Sequence, residues 1–77
     1  MRCYVYRSPR KADAYVYLGA RDDFDVLPEP LRQAMQPFSF VLELELSADR
    51  KLARADASEV LAHLAARGFH LQLPPAR

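Results

Sequence analysis

Apolar positions along the chain switch between a spacing of two and a spacing of three to four, and the switches divide it into six elements. Cys3 to Tyr6 and Ala14 to Leu18 are short and rich in Val and Tyr, which predicts strands. Ser8-Pro9-Arg10-Lys11-Ala12 between them reads as a tight connection, because Pro9 cannot donate to a ladder. The two strands are expected to form an antiparallel hairpin in which directly opposed residues share a face. If opposed positions sum to 21, Tyr4 faces Tyr17 and Tyr6 faces Tyr15. All four tyrosines then occupy one face, and Cys3, Val5, Val16 and Leu18 occupy the other. An even sum mixes the two kinds of side chain, so the odd sum is the expected register.

Gly19 to Leu27 is a connection with an acidic block, Asp22, Asp23 and Asp25, and one large apolar anchor, Phe24. Pro28 suits the first turn of a helix, Glu29 there faces the positive end of the dipole, and Pro37 stops the element. Leu27, Leu31 and Met35, spaced by four, give that helix one narrow apolar stripe. Phe38 to Leu46 alternates strictly, with Phe38, Phe40, Leu42, Leu44 and Leu46 on one side, and so predicts a strand central to the sheet. Asp56 to Arg67 is a helix capped by Asp56, with Glu59 three residues on, a buried face of Val60, Leu61 and Leu64, and Gly68 at its end. Phe69 to Leu73 is a last strand, and Pro74-Pro75 makes it an edge. The order is ββαβαβ. It predicts one α/β domain of the α+β type over residues 1–77, with a mainly antiparallel sheet.

Composition narrows the chemistry. The chain is 51% hydrophobic and 27% charged, an ordinary globular balance, and 77 residues bury only ~60% of the extended surface. A formal charge of +1, from eleven Lys and Arg against ten Asp and Glu, gives no general attraction to nucleic acid or acidic membrane. The single cysteine, Cys3, excludes an internal disulfide and suits a reducing compartment. The start Met-Arg-Cys-Tyr-Val-Tyr-Arg is too polar for a signal segment, and no apolar run reaches the ~20 residues that span a bilayer. A cytoplasmic protein without membrane contact is expected.

No residue set assembles a catalytic, metal or cofactor site. Glu59 and His63 have the spacing of two ligands on one helical face but lack a third, because Cys3 is expected in the core. His70 alternates away from Phe69 and Leu71 and is expected in solvent. Two glycines cannot make a phosphate loop. The remaining candidates are surfaces. Arg7, Arg10 and Lys11 lie on the first hairpin beside Tyr15, and Arg50, Lys51 and Arg54 crowd the approach to the long helix. These seven residues are the candidate partner-binding set. The tyrosines are expected to pack beneath a helix, with each hydroxyl at the rim or hydrogen-bonded.

Tyr6-Arg7-Ser8, Tyr15-Val-Tyr17, Asp22-Asp-Phe24, Pro28-Glu29, Lys51-Leu-Ala-Arg-Ala-Asp56 and Gly68-Phe-His-Leu-Gln-Leu-Pro-Pro75 together resemble the YcgL family of small proteobacterial proteins, over essentially the whole chain. The resemblance implies a compact α/β domain built as an α/β/α sandwich. It implies no catalytic residues. Members often continue past the Leu-Pro-Pro segment, whereas this chain stops at Arg77. The first functional expectation is a monomeric, non-enzymatic module that binds another protein. The second is an RNA-binding accessory factor using Arg7, Arg10 and Lys11 with Tyr6 or Tyr15. The last is a hydrolase with a shallow site at His70, Asp22 or Asp23.

Overall fold

The computed structural model describes residues 1–11, 13–50 and 56–73. The elements follow the expected order: β1 (Arg2–Arg7), β2 (Tyr15–Leu18), α1 (Glu29–Met35), β3 (Ser39–Glu45), α2 (Ala57–Arg67) and β4 (Phe69–Gln72). The four strands form one antiparallel sheet in the order β3-β1-β2-β4. Helix α2 covers one face, burying Ala57, Val60 and Leu64 against Cys3, Val5, Tyr17 and Leu46. Helix α1 and the Phe24–Val26 turn cover the other, where Leu27 and Met35 pack with Tyr6, Val16, Leu18 and Phe69. The result is an α/β/α sandwich, an α+β fold with two thin cores rather than one.

Local signals placed the ends of α2 correctly. The Asp56 carboxylate accepts from the backbone N–H of Ser58 at 2.9 Å, which satisfies one of the free donors of α2. Gly68 closes α2 in the left-handed region, φ 84°, with its N–H donated to the Leu64 carbonyl. A Cβ there would sit 3.2 Å from Val26, so both conformation and space favour glycine. Asp56→Ala is expected to lower stability by about 1 kcal/mol, read as a shift of the urea midpoint at unchanged slope. In α1, Pro28 is the N-cap rather than a first-turn residue, and Leu27 and Met35 are buried as the stripe required.

The sheet departs from expectation in three ways. First, the hairpin register pairs Tyr4 with Leu18, Val5 with Tyr17, Tyr6 with Val16 and Arg7 with Tyr15, an even sum. The tyrosines are therefore split, Tyr4 and Tyr6 toward α1 and Tyr15 and Tyr17 toward α2. Cys3 and Val5 likewise part from Val16 and Leu18. Both faces are roofed by a helix, so no face needed to collect one kind of residue.

Second, β3 is an edge strand, and β1 and β2 are the central pair. Third, the β1–β3 register slips by one residue between Val5 and Tyr6: Val5 opposes Leu42 while Tyr6 opposes Phe40. Val41 is the extra residue of a β-bulge. It sends Phe38 and Phe40 to the α1 face and Leu42, Leu44 and Leu46 to the α2 face, although the sequence alternates without a break. The other edge, β4, is where it was expected, although Pro74 and Pro75 themselves lie outside the described residues.

Candidate functional site

The longest run of exposed large apolar residues among the described residues belongs to β3. Phe40, Val41 and Leu42 are 44%, 40% and 43% exposed, in consecutive positions on a strand that pairs with β1 alone among the described residues. On the inner side the Phe40 ring meets Tyr6 edge-on at 5.6 Å, and the Arg21 guanidinium lies 4.5 Å from its centroid. Phe24 and Phe38 stack at 4.8 Å behind this group. Phe40 is thus held firmly while much of its surface stays in water.

The charged end of β3 is neutralised from within. Arg2 donates to Glu43 at 2.7 Å, and the N-terminal ammonium lies 2.8 Å from Glu45. The ammonium's hydrogen bond holds the Glu45 carboxyl below its usual value, with its charge adding to the effect. These pairs are exposed and contribute little to stability. Their consequence is an edge whose middle is apolar and whose end carries no net charge.

The basic candidates that are described do not converge. Arg7 ends β1, whereas Arg50 follows the Ser47–Arg50 turn beyond the opposite end of β3, close enough to Cys3 to act on its thiol. The length of β1, about 17 Å, separates these two ends. Within the first group, Arg7 shares the α2 face with Tyr15, while Arg10 donates to the Gln33 carbonyl of α1 at 3.2 Å. Lys11 is exposed on the hairpin loop. Lys51 and Arg54 lie outside the described residues.

Nor do the tyrosines form an open platform. Tyr6 and Tyr17 are buried, and Tyr4 and Tyr15 are half-buried against the two cores. The Tyr6 hydroxyl donates to the Asp22 carboxylate at 2.9 Å and accepts from its backbone N–H at 2.8 Å. That clamp holds Asp22 at φ 59°, a conformation aspartate tolerates better than most residues. The Tyr17 hydroxyl reaches the Gln72 side chain at 3.2 Å. Packing with bonded hydroxyls was expected, though not on two faces.

The histidines differ most from expectation. His70 is buried, not in solvent. Because Tyr17 opposes His70, both point to the α2 face, and their rings meet edge-on at 5.6 Å. His63 comes down from α2, half-buried, and its Nδ1 lies 2.8 Å from Nδ1 of His70. Burial lowers the pKa of His70, with His63 and Arg67 acting in the same direction and Glu59 opposing. Helical spacing sets His63 beside Glu59, whereas the β2–β4 register, which is not local, puts His70 under α2. His70 and Asp22 lie on opposite faces of the sheet, so they share no cleft. Cys3 is fully buried, and burial pushes its thiol up, as an inert core cysteine requires. Among the described residues, no group of three or more His, Cys, Asp or Glu could hold a metal ion. No helix among them is long and apolar enough to cross a membrane.

Fold and surface define a small α/β/α sandwich domain with an exposed apolar run on its β3 edge. The YcgL domain profile matches residues 3–75. A YcgL domain-containing protein of Thioalkalivibrio sulfidiphilus is 53% identical over 75 residues, covering 97% of this chain and 93% of the relative. One from Xanthomonas campestris pv. campestris is 53% identical over 74 residues, covering 96% and 86%. One from Stenotrophomonas maltophilia is 47% identical over 76 residues, covering 99% and 88%. The chain belongs to the YcgL domain family.

Proposed function

We propose that this domain is a non-catalytic interaction module that binds an extended apolar segment of another protein along β3. The observation that carries the reading is the exposed run Phe40-Val41-Leu42 on a strand whose outer edge has no partner among the described residues. An extended segment can satisfy the unpaired backbone groups of such an edge, while its side chains rest on the apolar surface.

A second copy of the chain is a poor occupant. Antiparallel self-pairing centred on Glu43 opposes the two Glu43 carboxylates, and centring on Leu44 opposes Glu43 and Glu45. Centring on Phe40, Val41 or Leu42 brings residues from opposite faces into register, because the bulge shifts the alternation at Val41. A different chain, free of these constraints and apolar where it meets residues 40–42, fits better. RNA binding would need stacking rings framed by cations. Tyr15 does pair with Arg7 on the α2 side, but Tyr6 is buried toward α1 and Arg10 turns to the Gln33 carbonyl of α1, so rings and cations are divided between the two faces.

The test places a photo-crosslinking side chain at position 40 in the native cells, with a second probe at Lys11 for comparison. A nuclease-resistant protein adduct at position 40, mapping to an extended apolar segment and lost on Leu42→Lys, is the expected result. Leu42 is exposed, so this change blunts the edge without opening a core. No adduct at position 40, or nuclease-sensitive adducts at Lys11 alone, would overturn the reading.

A further inference from the structure

His63 and His70 are seven residues apart, and the Gly68 turn folds β4 back beneath the end of α2 to bring them together. Their Nδ1 atoms are 2.8 Å apart, their planes are within 19°, and their ring centroids are 5.0 Å apart. That centroid separation is close to the contact distance plus two ring radii. The rings therefore meet nearly head-on and nearly in one plane. This is the geometry of an N–H···N hydrogen bond. Nitrogens converging on a shared metal would point away from the line joining them and draw the centroids closer.

Only one proton fits between two nitrogens in this contact, so one Nδ1 donates and the other accepts. We propose that His63 and His70 form a proton-operated latch, which ties the end of α2 to β4 at neutral pH and releases it on acidification. A first added proton can enter at the remote nitrogen of the donor ring and leave the hydrogen bond intact. A further proton from solvent, taken by the accepting Nδ1, sets two donors and two positive charges face to face. The contact then breaks.

Among the described residues, few groups face the pair. From α2 come Glu59, which favours a charged His70, and Arg67, which opposes it; from β2 comes the neutral Tyr17 ring. Burial is the largest influence and favours the neutral ring. The folded-state value for His70 thus lies below its ordinary ~6.5, and the unfolded chain binds the proton more readily. The stabilisation is complete above about pH 6.5 and is lost as pH falls from there through the folded value. Because the two rings share a proton, the steps belong to the pair rather than to either residue. Release acts where β4 has no second neighbour, since it pairs with β2 alone among the described residues. The fold therefore carries an acid-responsive edge opposite the β3 edge.

The test is amide hydrogen exchange at several pH values, corrected for the intrinsic pH dependence of exchange. In the wild-type chain, protection over residues 64–71 should fall by about tenfold or more from about pH 7.5 to about pH 5, while β1 and β3 change little. His70→Phe, which keeps a ring beside Tyr17, and His63→Ala, at a half-buried position, should both flatten the response. Independently of either variant, nitrogen-15 spectra of the wild-type imidazoles at neutral pH should give one donor Nδ1 and one acceptor Nδ1. A flat wild-type response, an unchanged response in both variants, or two imidazoles titrating independently would overturn the latch.

Discussion

Leu18→Ala is expected to lower stability by about 3 kcal/mol, within the range of about 2–5 kcal/mol for emptying a buried leucine site. Leu18 is fully buried on β2, one of the two inner strands, between Tyr4 on one side and Phe69 on the other. It lies in the α1-side core with Val16, Met35 and Leu27, whose backbones belong to three different segments. Such a site cannot collapse without moving the sheet, so much of the cavity should persist. For 77 residues the whole stability is roughly 4–12 kcal/mol. One substitution therefore removes a large share of it. Urea unfolding followed by circular dichroism should move its midpoint by about 2 M, given a slope near 1–2 kcal/mol/M for a small domain. Leu42→Ala is the control: that side chain is 43% exposed, and its loss should cost under about 1 kcal/mol. Equal effects at the two positions would mean that the α1-side core is not what holds the sheet.

The parts of this architecture readable in the sequence were those written in neighbouring residues. Asp56 and Gly68 mark the ends of α2 through bonds made within a few residues. The Leu27, Leu31 and Met35 stripe identifies α1 in the same way. Strand order is not local. The long alternation of Phe38 to Leu46 resembles a buried central strand, yet the short Cys3–Tyr6 segment holds the inner place because it pairs on both sides. Alternation also cannot reveal a bulge when the residues before and after it are equally apolar. Phe40 and Leu42 look like neighbours on one face and are not.

The hairpin register failed for a related reason. Sorting tyrosines from aliphatic residues assumes that the faces differ, but α1 and α2 make both faces interior. Each face accepts tyrosine where the hydroxyl finds a partner, as Tyr6 does at Asp22 and Tyr17 at Gln72. The histidine pair was hidden by the same non-locality. His70 does alternate away from Phe69 and Leu71, but the side it turns to lies under α2 rather than in water. Strict alternation predicts a central β3, and a central strand offers no edge, so the candidate at residues 40–42 is not legible in the sequence. The basic residues named from sequence are exposed where described, and they are spread over two ends of the sheet.

Deletion of Val41 should leave the fold intact and make the protein self-associate. Without the bulge residue, Phe40 and Leu42 become adjacent and therefore point to opposite faces, which is where the bulge already sends them. Phe38, Phe40, Glu43 and Glu45 stay toward α1, and Ser39, Leu42 and Leu44 toward α2. No core position changes face, so stability should alter by about 1 kcal/mol or less. The edge changes more. A regular strand can pair with its two-fold mate about Leu42, setting Leu42 against Leu42, Phe40 against Glu43 and Ser39 against Leu44. Every opposed pair then shares a face, and no like charges meet. The two obstacles to self-pairing in the natural strand disappear together, which is how a bulge guards an edge. Sedimentation at rising concentration should show dimer for the deletion and monomer for the parent, with Leu42→Lys in the deletion background restoring monomer. A deletion variant that unfolds would make the bulge part of the core's geometry. One that folds and stays monomeric would leave the glutamates, not the bulge, as the guard of β3.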